Sequence, residues 1–300
     1  MDRKGKEELL EAQPDAYSSP KLSPDGTQLA LTVGSGENAD IWIWDLVRKT
    51  PSRLTFEKGE DSRPAWSPDG KRIAFFSNRG NEPGVYWKAA DGTGPVEKLV
   101  TASGLNISDL CWSSDGKALV LEEGADTGGD ITMVSAEGNH ERKPLLREEY
   151  TEANPQVSPD GRWLAYLSTE SNASQGEIYV RPFPDVDSGK WQVSTGGGQE
   201  PRWSRDSREL FYRSGDDGAV MAVAVETEPA FRRGIPKELF RGDYYRQRGH
   251  NWDISHDGKR FLMIKPPQAA TSEASPDAQP QKFNIVLNWF EELKRLAPVK

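Results

Sequence analysis

Short stretches of β-branched, aliphatic and aromatic residues recur along the whole chain, separated by polar turns. LALTV from Leu29, IAFFS from Ile73, ALVLE from Ala118, LAYLS from Leu164, LFYRS from Leu210 and FLMIK from Phe261 are five residues long, too short for packed helices. Their composition suits pleated, buried strands. Each follows a tight-turn signal: SPDG at 23–26, 67–70 and 158–161, SSDG at 113–116, SRDS at 204–207 and SHDG at 255–258. In such a turn proline presets φ, aspartate accepts from nearby backbone N–H groups, and glycine accepts a positive φ. Before each turn lies one more short run, such as RPAW before Ser67 or EPRW before Ser204. After each second strand comes a third, such as IWIW at Ile41 or VYW at Val85, and then a brief fourth such as Leu54-Thr55 or Leu99-Val100.

The turn serines are 44, 46, 45, 46 and 51 residues apart. A near-constant period containing four β-like segments predicts an all-β, six-bladed β-propeller with four-stranded antiparallel blades, occupying residues 1–300 as one domain. Ring closure is expected from the N-terminus. Leu9 precedes Ser23 by 14 residues, as Leu99 precedes Ser113, so residues 8–10 are predicted to dock as the outer strand of the sixth blade. A Pro/Ala/Ser/Gln-rich stretch at 266–281 predicts a mobile insertion, and the Trp-Phe-x-x-Leu-x-x-Leu pattern at 289–296 a short amphipathic helix. Trp66, Trp112 and Trp203 immediately precede turn serines and are predicted as wedges between blades. The turn aspartates are predicted to be structural.

Charge narrows the partners. The chain has 47 acidic and 38 basic residues, a net charge of -9, which disfavours nucleic acid and anionic lipid. No apolar run is long enough to span a bilayer, and no apolar stretch follows the basic N-terminal residues as in a signal peptide. One cysteine, Cys111, excludes an internal disulfide; three histidines leave little for a metal centre. Without G-x-S-x-G there is no hydrolase elbow, and none of His140, His250 and His256 has an evident nucleophile nearby. No catalytic residue, metal ligand or cofactor is assigned.

Four positions before each turn serine stand Ser19, Arg63, Asp109, Asn154, Glu200 and Asn251, with His250 one position earlier in the last unit. Their common register places a polar, net acidic ring at one channel mouth. Arg63, Asp109, Asn154, Glu200, His250 and Asn251 are the candidate ligand contacts. Such a ring could receive a structural cation, a basic peptide or a polar small ligand; the alternative is a water-filled tunnel. The rival function is a propeller hydrolase or lyase working through channel carboxylates such as Asp109 and Glu152.

RPAWSPDGKRIAFFS from Arg63 resembles the TolB-type, WD40-like (PD40) propeller repeat, as do LSPDGTQLALTV and VSPDGRWLAYLS; the other three units match less closely. The resemblance implies a propeller over essentially the whole chain and, by family setting, a protein or peptide partner and a periplasmic or extracytoplasmic location. Related propellers serve as TolB, as access screens of prolyl-oligopeptidase-like serine peptidases, and as C-terminal regions of bacterial serine/threonine kinases. The two ends of this chain look most like the last group. Neither a hydrolase domain nor kinase motifs accompany the repeats, so a binding or sensory module, or an accessory propeller of a longer peptidase or kinase, is what the resemblance implies.

Overall fold

The computed structural model describes residues 1–8, 10, 15–102, 106–124, 129–215, 217–246, 249–266 and the backbone of 284–286. The segments predicted as the insertion and as the terminal helix lie outside the described residues, apart from residue 266. Every sheet is antiparallel and is built in chain order from an inner strand outwards. The inner strands are Tyr17–Leu22, Asp61–Trp66, Ile107–Trp112, Glu152–Val157, Gly198–Trp203 and Trp252–Ile254. The first five inner strands pack side by side in succession and the last packs against the first, while Arg202 of the fifth donates to Trp252 O of the sixth.

The expectation of six four-stranded blades closed by an N-terminal strand is not met. Five sheets are full blades: four have four strands, and the fifth has five because Arg232–Arg233 and Lys237–Phe240 both pair with Val220–Glu226. Among the described residues the last sheet has three strands, Trp252–Ile254, Phe261–Lys265 and Asn284–Val286. Six evenly spaced turns counted inner strands; they carried no information about how many strands stand outside each one. Glu8 and Leu10 belong to no strand, and Leu9 lies outside the described residues. Leu10 packs instead on the cluster of Leu29, Leu31, Leu262 and Ile264, so the apolar pattern that suggested a strand is used for packing. The chain start meets the three-stranded sheet only through an isolated bridge between Asp2 and Arg260, beside main-chain hydrogen bonds exchanged by Met1 and Phe261. Among the described residues no ladder closes the ring; side-chain packing between its first and last sheets does.

The repeated turn is a closed hydrogen-bond unit. In all six, the serine hydroxyl donates to the aspartate two residues on and accepts from the amide that opens the second strand. The aspartate also accepts from the backbone N–H two residues beyond itself. The fourth position has φ between 65° and 74° in the five glycine turns, and Ser207 takes the same conformation at φ 57°. Only glycine adopts it without steric cost.

The tryptophan wedges link neighbouring units. Trp66 Nε1 donates to Lys21 O at 2.9 Å, Trp112 Nε1 to Ala65 O at 3.1 Å and Trp203 Nε1 to Gln156 O at 3.1 Å. Each bond reaches back to the carbonyl two residues before the preceding unit's turn serine. All three rings are buried, so each contributes apolar area and a satisfied N–H together.

Candidate functional site

Four of the six predicted register positions are backbone bulges. Ser19, Arg63, Asn154 and Glu200 have φ of 49°, 57°, 51° and 53°, and each lies where the inner strand slips register against the second. Each precedes a proline, which has no N–H to give to the ladder. At two of these bulges the side chain reaches a neighbouring unit: Asn154 meets Asp109 and Glu200 meets Asn251.

Asp109, Asn154, Glu200, His250 and Asn251 are thereby brought into one buried network. His250 Nδ1 meets Asp109 Oδ2, and His250 Nε2 lies 3.0 Å from Pro201 O. Asn154 Nδ2 donates to Asp109 Oδ2 at 3.4 Å, and its Oδ1 accepts from Glu200 N at 3.4 Å. Glu200 Oε2 accepts from Asn251 N at 2.8 Å, and Glu200 Oε1 lies 3.8 Å from Arg213 Nη1. Glu122, from the second strand of its blade, joins by accepting from Asn154 N at 2.9 Å. Arg63 is not part of this network: its guanidinium turns to Glu60 and Ser62, and its amide donates to Thr32 Oγ1. Five of the six predicted contacts are therefore buried and engaged with one another.

Electrostatics follow from this burial. Burial opposes ionisation of Asp109, but His250, Lys21 and Arg202 outweigh it and hold its carboxyl below the ordinary carboxylate range. Burial, then Arg202, pushes the His250 pKa down against the pull of Asp109. Both ring nitrogens face acceptors, which favours a doubly protonated ring where burial favours a neutral one; Asp109 and His250 titrate as one coupled unit. Burial raises the Glu200 carboxyl although Arg213 and the Asn251 amide favour its ionised form. Glu152, two strand positions before Asn154, is pushed up to about 7 by burial and by Glu148, and its Oε2 accepts no hydrogen bond from a described residue. Asp109 and Glu152 are both buried, and Asp109 is already paired with His250.

Open space lies at the other, turn end of the inner strands. A cavity of about 520 Å³ is walled by residues from all six units, among them Trp66, Trp112 and Trp203. Two basic residues outside the predicted ring, Lys21 and Arg202, line it. Both stand two positions before a turn serine, on the strand alternation that faces the axis. That position was the signal available in the sequence. Arg202 is held by Trp252 O at 3.1 and 3.2 Å and lies 3.5 Å from Asp253 Oδ1. Cys111 also lines the cavity, with burial pushing its thiol up to about 12, so it is an unreactive neighbour. Among the described residues no cluster of three or more His, Cys, Asp or Glu could hold a metal ion, and no helix is long and apolar enough to cross a membrane.

The PD40 family, described as the TolB beta propeller domain, matches residues 3–181. The chain belongs to this family. Among curated proteins, this family member is similar to the "Uncharacterized peptidase YuxL" of Bacillus subtilis, at 24% identity over 55% of this chain and 32% of that protein. It is similar to the "Tol-Pal system protein TolB" of Francisella tularensis, at 28% identity over 51% of this chain and 36% of that one. The chain therefore spans about a third of the length of these relatives. TolB from Acinetobacter baumannii superimposes with a TM-score of 0.60 at 23% identity, over 76% of this chain and 56% of that one. An oligogalacturonate lyase in complex with manganese superimposes with a TM-score of 0.61 at 12% identity, over 94% and 79%. At such identities these superpositions establish a shared fold.

Proposed function

We propose that this PD40 propeller is a non-enzymatic recognition module that takes a segment of a protein or peptide into its turn-end cavity. The observation that carries the reading is the cavity itself: about 520 Å³, preformed, and walled by rigid inner strands of every unit. Hydrogen-bonded turns and cross-unit tryptophans hold those walls before any ligand arrives, which lowers the ordering cost of binding. Similarity to proteins named TolB supports a protein partner and an extracytoplasmic location. Covering about a third of its curated relatives, one of them named a peptidase, supports a place within a longer protein as an accessory propeller. Attachment to a kinase rests on the resemblance of the two chain ends alone. The lyase or hydrolase reading is disfavoured, because Asp109 and Glu200 are buried and committed to protein partners.

The test is selection of a displayed random-peptide library on the full chain, with hits quantified by fluorescence anisotropy. Ser114 stands at the cavity where other units carry Pro, Arg or His, so a large side chain is tolerated there. Ser114→Trp is expected to block the hits by at least about tenfold. Peptides that bind the variant as well as the parent would place recognition elsewhere, and failure to enrich any peptide would reject the module reading.

A further inference from the structure

The cavity differs in charge from the molecule that carries it. The chain is net acidic by nine charges, yet among its lining residues Lys21, Arg202 and Arg205 are basic and Asp253 alone is acidic. Asp253 is already engaged: its Oδ2 accepts from Leu22 N at 2.7 Å, and its Oδ1 faces Arg202 Nε. The turn carboxylates Asp25 and Asp257, which reach His256 at the rim, are each bound to their own turn serine.

Lys21 is in direct contact with no counter-charge among the described residues, although Asp109 and Asp253 lie near enough to favour its charged form. It is 8% exposed and lines the cavity, and its Nζ makes no hydrogen bond or ion pair with any of them. Its carbonyl, by contrast, is occupied, accepting from Trp66 Nε1. A buried ammonium without a partner is costly, and an apolar residue would serve a stable strand better unless something fills the gap. Burial, and then Arg202, pushes its pKa down to about 8. Arg202 beside it has a guanidinium fixed on one side by the Trp252 carbonyl.

We propose that the turn-end cavity is a carboxylate-binding site, in which Lys21 and Arg202 pair with the anionic group and Arg205 at the rim draws it in. A carboxylate is the fitting class because a fixed guanidinium next to an ammonium offers it planar, charge-assisted donors, while the tryptophan walls accept the apolar atoms behind it. The carboxylate belongs to a peptide terminus, an acidic side chain or a small organic acid. This deepens the peptide-recognition reading and rests on the same cavity.

The experiment is titration of the full chain, followed by tryptophan fluorescence, with three probes: hexapeptide pools with free C-termini, the same pools amidated, and glutarate. Lys21→Met keeps the aliphatic stem and removes a buried charge, so it is expected to fold. At pH 7 the acid-bearing probes are expected to bind the parent and to lose at least about tenfold in affinity in Lys21→Met. Loss on amidation identifies a peptide terminus, retention by acidic amidated pools identifies side chains, and binding of glutarate alone identifies a small acid. Affinity is also expected to fall between pH 7 and 9.5 in the parent and to stay level in Lys21→Arg. Of the groups facing Lys21, Asp109 and Asp253 are carboxylates, Arg202 is a guanidinium, His250 is held below its ordinary value by burial and the Cys111 thiol is pushed up to about 12, leaving the ammonium to titrate in that window. Neutral amidated pools that bind as tightly as acidic ones, and are blocked by Ser114→Trp, would leave peptide recognition standing and overturn the carboxylate site. Unchanged affinity in Lys21→Met, or no acid-bearing probe binding below about 10 mM, would overturn it as well.

Discussion

Ser158→Ala tests whether the repeated turn holds the blades together or merely decorates them. Ser158 is fully buried, at 0% exposure. Its hydroxyl donates to Asp160 Oδ1 and accepts from Trp163 N at 3.0 Å. Alanine removes both bonds at once. The charge-assisted bond contributes about 1.5–3 kcal/mol, and leaving the buried Trp163 amide without an acceptor costs about 1–3 kcal/mol. Arg162 still donates to Asp160 through its amide and guanidinium, which softens the first loss. The expected destabilisation is about 3 kcal/mol by urea unfolding, read as a lower midpoint at unchanged slope. Ser114→Ala, at the second position of the preceding unit's turn and without these bonds, is the control, expected to shift stability by less than about 0.5 kcal/mol. Acid provides a second check. Burial opposes ionisation of Asp160, but its bonds from Ser158 and Arg162 hold its carboxyl below the ordinary 3.8. A depressed folded pKa contributes stability above 3.8 that is lost as the pH falls, so the Ser158→Ala penalty should shrink towards pH 3. A loss under about 1 kcal/mol, or one matching the control, would refute the reasoning.

Glu152→Gln reports on the other end of the channel. A carboxyl raised to about 7 from 4.5 in the folded protein loses stabilisation as the pH rises through that interval, so the variant should melt higher than the parent at pH 8, by a smaller margin at pH 5, and equally only below the unfolded value of 4.5. Trp203→Phe breaks the bond to Gln156 O and shrinks a buried wedge, at an expected cost of about 2–3 kcal/mol in urea unfolding. Trp252→Phe should cost at least about 1 kcal/mol less, since Trp252 Nε1 is buried with no partner among the described residues; equal losses would show that the cross-unit bonds carry no weight. Asp109→Asn leaves the buried His250 facing a neutral amide and should cost about 3–5 kcal/mol, measured the same way at pH 7.

The sequence made some of these groups legible and hid others for identifiable reasons. Ser158, Asp160 and Trp163 lie within six residues, so their hydrogen bonds follow from local pattern. Trp66, Trp112 and Trp203 were readable as wedges because they recur at one register. The same register singled out Asp109, Asn154, Glu200, His250 and Asn251, and the fold does bring these five together. It did not reveal that they satisfy one another, nor that Arg63 turns away to Glu60. Lys21 and Arg202 differ in type from the Ala65, Cys111 and Gln156 that share their register, so repetition could not mark them. Residues 8–10 misled because burial of Leu10 and strand pairing call for the same apolar residues.

What the chain determines locally is the unit: a bulged inner strand before proline, a closed Ser–Asp turn, a buried second strand. These depend on bonds spanning two to five residues, where composition and spacing are sufficient. What only the tertiary structure decided is which polar groups satisfy one another, where a cavity opens, how many strands each sheet acquires among the described residues, and how the ring closes. Those outcomes depend on contacts such as Asp109 with His250, or Leu31 with Leu262, across 141 and more residues. At that separation a shared register gives direction but not distance. Distance decides whether two polar groups satisfy each other or, like Lys21, line a cavity.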